Sequence, residues 1–411
     1  MPRRIYRWSR LSVGNAEHRS IAMMSPPRNI AILGATGSIG TSTLDVIESS
    51  AGQLQAVALS AHGQLDKLTA IAQRLRPRWV VASDQALADQ HDWTGLPDDA
   101  TLLKGSESLE RIAAHRDVDT VVAAIVGSAG LRSTWAALDA GKRVALANKE
   151  TLVVAGPLVN ALVKQSGAEL IPVDSEHRAI FQALAAGRRQ DVRRVILTAS
   201  GGPFRGYSQQ QLEAVQLADA LRHPTWNMGR KISIDSATMM NKALEIIEAR
   251  WLFELEPEQI DVVVHPQSIV HSIVEYADGS HVAQMSPPDM RLPIQYALTY
   301  PARWQLEGPR LDFTSSFALD FEPPDHERFP AIRLGLEVAR AGGSAGAVVN
   351  AANEAAVGEF IEGRLRFVEI VPACRAILEN HHFDPHPTLE QLFELDRWAR
   401  GEVLKWACAL R

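Results

Sequence analysis

Asn29-Ile-Ala-Ile-Leu-Gly34-Ala-Thr-Gly37-Ser-Ile-Gly40 is a short apolar run that gives way to three regularly spaced glycines. Residues 41–50 then show helical spacing, with Leu44 and Ile47 on one face, and stop near Gly52. Strand, glycine turn and helix in that order open a dinucleotide-binding unit. Glycines let the backbone turn sharply and approach a pyrophosphate, while the helix N-terminus supplies free N–H groups and a favourable dipole. Working outward, residues 55–59 and 79–82 read as further strands with a helix over 65–75 between them, and 119–126 and 143–147 as two more. Alternating strands and helices predict an α/β fold with a doubly wound parallel sheet.

The end of the second strand decides which nucleotide fits. An NAD enzyme places Asp or Glu there to bind the ribose 2′-hydroxyl. Here the stretch is Leu59-Ser-Ala-His62-Gly63, with no acid, so NADPH is preferred, and His62 or Lys67 is placed to face its 2′-phosphate.

Composition sets outer bounds. The chain has 411 residues, 46% apolar and 22% charged, enough for two or three domains with their own cores. A net charge of −6 gives no nucleic-acid footprint, and no apolar window is long enough for a membrane span. Two cysteines, Cys374 and Cys408, exclude a disulfide framework and fit a reducing compartment. Residues 1–28 differ, with six arginines against one acid. They lack the apolar core of a secretion signal, so they read as a disordered or over-called start, and plastid import is not favoured.

From about residue 174 the texture changes. Residues 192–198, 261–265, 268–276 and 281–284 are β-rich, and 212–220 and 237–253 look helical, which predicts a second α/β unit with a mixed sheet. A proline-punctuated connection follows, and then helical patterns over 331–341, 345–360, 368–378 and 388–410. The last opens on Thr388 and Gln391 in capping-box spacing, and the whole predicts a C-terminal helical bundle.

Several motifs carry chemistry. Asn148-Lys149-Glu150 follows a strand where α/β sheets bind ligands. Asp174-Ser175-Glu176-His177 passes from strand to helix. In extended geometry Asp174 and Glu176 face one way as hard oxygen ligands suited to Mg²⁺ or Mn²⁺, although taken alone the stretch reads first as helix capping by Asp174 or Ser175. In Asp235–Glu245, Asn241 and Glu245 lie one helical turn apart beside Lys242, so Glu245 completes an ion's ligands while Asn241 and Lys242 take an anion, or the stretch is an ordinary exposed charged face. Ser200-Gly-Gly-Pro203 offers a hydroxyl and free N–H groups. The loop around His223, Trp226 and Met228 suits a lid. His265 and His271 fall in alternating β segments and fit a structural or subunit-interface role.

Two reductase classes fail outright: no cysteine lies mid-chain for an acyl-phosphate reductase, and no tyrosine has lysine four residues on, as short-chain dehydrogenases require. Instead, Gly34-Ala-Thr-Gly-Ser-Ile-Gly40, Ala147-Asn-Lys-Glu150, Asp174-Ser-Glu-His177, Ser200-Gly-Gly-Pro203, His223-Pro-Thr-Trp226 and Asp235–Glu245, in that order, closely resemble the 1-deoxy-D-xylulose 5-phosphate reductoisomerase family over roughly 29–400. The resemblance implies a cytoplasmic homodimer. Its subunits have a Rossmann-like NADPH domain (29–173), a catalytic and dimerisation domain with a mixed sheet (174–302), a linker (303–325) and a C-terminal helical domain (326–411). It implies a divalent ion on Asp174, Glu176 and Glu245, with substrate phosphate on Ser200, Ser236, Asn241 and Lys242. Lys149, Ser175 and His223 surround the carbon skeleton, and Thr36, Gly37, Ser38, Ile39, Asn148, Glu150 and Gly229 match nucleotide-contacting positions. The implied activity is rearrangement and NADPH-dependent reduction of a small phosphorylated sugar in the non-mevalonate isoprenoid pathway. Many members carry a basic residue where this chain has His62-Gly63-Gln64. A reductase acting on another phosphorylated aldehyde or ketone, and a nucleotide sensor without turnover, are the competing readings.

Overall fold

A computed structural model describes residues 26–410 apart from Asn227, so most of the arginine-rich leader lies outside the described residues. Strands β1 (Arg28–Leu33), β2 (Leu54–Ala61), β3 (Trp79–Ala82), β4 (Thr101–Lys104), β5 (Thr120–Ala123), β6 (Arg143–Leu146) and β7 (Glu169–Pro172) form one sheet in the order β4-β3-β2-β1-β5-β6-β7. Every pairing is parallel. Helices α1 (Ser38–Glu48), α2 (Leu65–Leu75), α3 (Gln85–Gln90), α4 (Glu107–Ala113), α5 (Leu131–Asp139) and α6 (Glu150–Ser166) alternate with the strands, as the apolar periodicity predicts. The inner strands bury nearly every residue, because helices cover both faces of a parallel sheet.

Strand order reverses between β1 and β5, and loops beyond that switch point form the ligand crevice of such sheets. The glycine turn lies there. Gly34 has φ +91°, and a Cβ on Gly40 would sit 2.3 Å from the Gly34 carbonyl oxygen, so a larger residue at either place would force the turn open. This tight turn starts α1 at Ser38, earlier than the expected residue 41. The sequence reading also passed over β4, a half-exposed edge strand amid turn-forming residues.

After α7 (Ser175–Ala183), a second sheet contains β8 (Val192–Ala199), β9 (Ile260–Val264), β10 (Val270–Tyr276) and β11 (His281–Met285), ordered β11-β10-β8-β9. It is mixed, as expected: β8 pairs parallel with β9 and antiparallel with β10. The expected helix over 212–220 is two short pieces, α8 (Gln209–Glu213) and α9 (Leu217–Ala220), each with its own capping box. The expected helix over 237–253 forms as α11 (Met240–Leu252), three residues late. A further helix, α10 (Arg230–Ala237), precedes it, and Met239 between them lies in the left-handed region at φ +63°, a conformation costly for a side-chain-bearing residue.

Helix α12 (Arg291–Thr299) returns to the first sheet, where Ile294, Ala297 and Leu298 join the core beneath β1 and β2. The connection that follows contains one isolated bridge, between Glu322 and Val264. The chain ends in α13 (Ala331–Ala341), α14 (Ala345–Ile361), α15 (Ile370–Asn380) and α16 (Leu389–Ala409), with the Thr388–Gln391 capping box formed. These helices share one apolar core with α10, α11 and the second sheet. Gly346 lets α14 lie against α6, since a Cβ there would come within 2.0 Å of the Val153 carbonyl oxygen. No helix among the described residues is long and apolar enough to cross a membrane.

Candidate active site

The site grows from neighbouring strand ends. β6 and β7 pair in register, Leu146 opposite Pro172, so the residues leaving them emerge side by side. Lys149 is the N-cap residue of α6, and Asp174 is the N-cap of α7. Asp174 therefore performs the capping role and faces the site at once. Its Oδ1 accepts from the Glu176 and His177 amides (3.0 and 3.3 Å), while Oδ2 accepts from Lys149 Nζ (3.1 Å). The extended geometry expected for Asp174 and Glu176 is not what aligns them; a helical first turn does so instead.

Glu245 comes from α11 and is 1% exposed. Its Oε1 accepts from Lys149 Nζ at 3.1 Å and from Asn241, and its Oε2 from Lys242. Lys149 also donates to Asn241 Oδ1 at 2.8 Å. Carboxylate oxygens of Asp174, Glu176 and Glu245 lie within 4.8 Å of one another.

Burial opposes every charge here, and the outcome differs by neighbour. Around Lys149, Asp174 and Glu245 outweigh burial and hold the ammonium well above its ordinary pKa. Asp174 is conversely held well below its ordinary value by Lys149 and His177. Glu176 has no lysine bonded to it; burial, reinforced by Glu245 and Asp174 against the pull of Lys242, pushes it up to about 8. Three carboxyl groups thus crowd a confined space, and two lysines pair with only two of them, Asp174 and Glu245. A buried carboxyl at Glu176 that no ammonium pairs, and a donor set of hard oxygens without sulfur, fit Mg²⁺ or Mn²⁺.

Behind this cluster, His177 contacts Asp174 Oδ1 (3.3 Å) and Glu248 Oε2 (3.2 Å) and bonds the Glu245 carbonyl through Nε2 (3.0 Å). Its pKa is pushed up to about 9 as Glu248 and Asp174 overcome burial. Glu248 escaped the sequence reading, although it lies one turn beyond Glu245 on the same helix.

The cavity holding these groups has a volume of about 170 Å³ and is walled also by Ser38, Ile39, Ser175, Ser200, Ser236 and Gly229. The loop residues His223, Trp226 and Met228 line it as well. His223 Nδ1 accepts from the Thr225 and Trp226 amides (3.1 and 2.9 Å), which leaves the ring proton on Nε2, 3.1 Å from Ser200 Oγ. Burial lowers the His223 pKa and favours that neutral form. Ser200 Oγ accepts from this ring and from the Gly202 amide, so its own proton is free for an anion. Gly37, the α1 N-cap, contributes no side-chain hydrogen bond, so the first amides of α1 are open to a phosphate.

Four expected nucleotide contacts do not wall this cavity. Thr36 offers its carbonyl to Lys67 Nζ (2.7 Å), and Gly37 lies in the turn beside it. Asn148 and Glu150 are buried in a hydrogen-bonded network. His62 is exposed beside Ser83 and Asp84. Met239, Ile232 and Met290 also wall the cavity and escaped the sequence reading, since isolated apolar residues carry no motif. His265 and His271 are buried and bond the backbone carbonyls of Asp320 and Ser286, consistent with structural roles.

The model of 1-deoxy-D-xylulose 5-phosphate reductoisomerase matches residues 30–156, and two models of C-terminal domains of the same family match 170–253 and 285–402. The reductoisomerase of Rhodopirellula baltica is 48% identical, over 93% of this chain and 95% of its own. That of Heliobacterium modesticaldum is 51% identical, over 91% and 96%. Among solved structures, the Zymomonas mobilis enzyme in complex with NADPH superposes with a TM-score of 0.85 at 43% identity, covering 93% of this chain and 99% of that one. A reductoisomerase in complex with NADPH, fosmidomycin and magnesium gives 0.88 at 42% identity with the same coverage. In sequence and in fold, this chain belongs to the 1-deoxy-D-xylulose 5-phosphate reductoisomerase family.

Proposed function

We propose that this chain converts 1-deoxy-D-xylulose 5-phosphate to 2-C-methyl-D-erythritol 4-phosphate, using NADPH and a divalent metal, in the non-mevalonate route to isoprenoid precursors. The observation that carries this reading is the convergence of Asp174, Glu176 and Glu245 with Lys149, in one cavity that also presents Ser200, Ser236, Asn241 and Lys242. Asp174, Glu176 and Glu245 would hold Mg²⁺ or Mn²⁺, which supplies Lewis-acid polarisation of the substrate's oxygens. Lys149 Nζ is placed to stabilise negative charge developing on oxygen during the skeletal rearrangement. Ser175 and neutral His223 border the carbon skeleton. His223 fixes Ser200 so that its hydroxyl donates to phosphate, together with Ser236, Asn241 and Lys242. Trp226 and Met228 cover the reacting carbons and exclude water while hydride passes from NADPH to the rearranged aldehyde. Phosphate contacts distant from those carbons supply binding energy for orientation.

Thr36, Gly37, Ser38, Ile39, Asn148, Glu150 and Gly229 serve the nucleotide, which the strand-order reversal and the open α1 N-terminus support. The chain divides into a nucleotide unit (29–173), a catalytic and dimerisation unit (174–302), a linker (303–325) and a helical unit (326–411). A homodimer is supported by β11, an edge strand with no second neighbour among the described strands. A cytoplasmic location is supported by two free cysteines and bacterial relatives.

The direct test follows NADPH absorbance with 1-deoxy-D-xylulose 5-phosphate, with and without Mg²⁺ or Mn²⁺, with NADH as control. Metal-dependent oxidation that prefers NADPH and yields the branched product is expected. Absence of oxidation in folded, metal-replete protein would turn the reading towards another substrate. Lys242→Ala is expected to raise the substrate KM by roughly 10- to 100-fold, the loss of one charged hydrogen bond, with a smaller change in kcat. An unaltered KM in steady-state kinetics would remove Lys242 from the phosphate site.

A further inference from the structure

A second buried charge cluster lies behind the cavity, and none of the roles above uses it as a unit. Lys231, on the first turn of α10, donates to Glu150 Oε1 (2.9 Å) and pairs with Asp235 Oδ2 (2.8 Å). The three side chains are 17%, 6% and 1% exposed. Burial works against the Lys231 ammonium, but Asp235 and Glu150 hold it well above its ordinary pKa, so it stays charged. Each carboxylate has a second anchor. Glu150 Oε2 accepts from Asn148 Nδ2 at 3.1 Å, and the same amide donates to the Ile125 and Gly127 carbonyls (2.6 and 2.9 Å) in the loop after β5. Asp235 Oδ1 accepts from Asn353 Nδ2 of α14 at 2.8 Å.

The positions of these partners along the chain give the cluster its meaning. Glu150 directly follows Lys149, and Asp235 directly precedes Ser236. Lys231 itself stands two residues beyond Gly229, at the downstream end of the loop that bears His223, Trp226 and Met228, and Ser233 Oγ bonds the Met228 carbonyl at 3.4 Å. One ammonium therefore fastens three things together: the end of that loop, the turn that presents Lys149, and the helix that presents Ser236. Lys231 and Asp235 lie one turn apart on the same face of α10, whereas Ser236 is rotated by about 100° and faces the cavity.

We propose that Lys231 is a positioning residue for the reductoisomerase reaction, tying the end of the substrate-covering loop to the Lys149 turn through Glu150 and to Ser236 through Asp235. This rests on the function proposed above. It gives α14 a part in the reaction, because Asn353 braces the Asp235 end of the tether.

The test compares Lys231→Met, Glu150→Gln, their double variant, and the triple variant Lys231→Met/Glu150→Gln/Asp235→Asn. For each, kcat, substrate KM, the NADPH dissociation constant from nucleotide fluorescence and the thermal midpoint are measured. Lys231→Met is expected to lower kcat by roughly 10- to 100-fold, as misplaced reacting groups do, and to weaken NADPH binding by about 10-fold. Adding Glu150→Gln to it should change kcat by less than about twofold, since both substitutions break one connection. The triple variant, with no unpaired buried charge, should recover the thermal midpoint but not kcat at saturating NADPH, which separates positioning from folding. Recovery of that kcat together with the midpoint would overturn the proposal, and so would a Lys231→Met protein altered in midpoint alone. Wild-type protein in the same assay reports separately on the function. Absent turnover there would overturn that reading, while the NADPH dissociation constants would still decide on the tether.

Discussion

Glu245→Gln is expected to lower kcat by a factor of about 10³, equivalent to roughly 4 kcal/mol of transition-state stabilisation, while the protein still folds. The side chain keeps its shape, so the packing of α11 survives. Its electrostatics do not. Both carboxylate oxygens of Glu245 are engaged, Oε1 by Lys149 and Asn241 and Oε2 by Lys242. An amide must turn its NH₂ towards one of these donors, setting donor against donor in a site where the residue is 1% exposed. The substitution also removes one of the three carboxylate ligands that would hold a divalent cation. Steady-state kinetics at saturating Mg²⁺ or Mn²⁺, with Mn²⁺ titration followed by electron paramagnetic resonance, should show a weaker ion and little turnover. A kcat within tenfold of the wild type would remove Glu245 from the metal site.

Much of this arrangement is legible in the sequence, for reasons that vary by residue. The glycine turn reads plainly because the backbone itself demands it: φ +91° at Gly34 and the close approach at Gly40 leave few other residues possible. Asp174 shows how two readings of one residue need not compete, since one oxygen caps α7 and the other faces Lys149. The helix over 237–253 is legible from its apolar spacing, but its start at Met240 is not, since only tertiary packing sustains a left-handed methionine at 239. That break matters, because Ser236 from α10 and Asn241, Lys242 and Glu245 from α11, on either side of it, line one cavity. The Lys231 cluster is invisible for another reason. Glu150 and Lys231 are 81 residues apart, and Asp235 and Asn353 are 118 apart, so no local pattern relates them.

Lys149→Met is expected to move two quantities in opposite directions, which makes it the most discriminating substitution in the site. The ammonium bonds Asp174 Oδ2 and Glu245 Oε1, two of the three carboxylates that would hold the ion. It therefore neutralises charge that a cation would use, and like charges within a buried site repel strongly. Methionine keeps most of the length and apolar bulk of the stem but removes that competitor, so Mn²⁺ should bind about tenfold more tightly, a change of 1.4 kcal/mol. Turnover should fall by at least about 100-fold, because the group placed to stabilise charge on the substrate's oxygen is gone. A lysine with only a structural part would behave otherwise. Its loss would let the carboxylates repel one another and spread apart, and both metal affinity and turnover would fall together. Mn²⁺ titration of the folded variant distinguishes the two cases before any substrate is added, and weaker binding would sink the view that Lys149 shares its carboxylates with the catalytic ion.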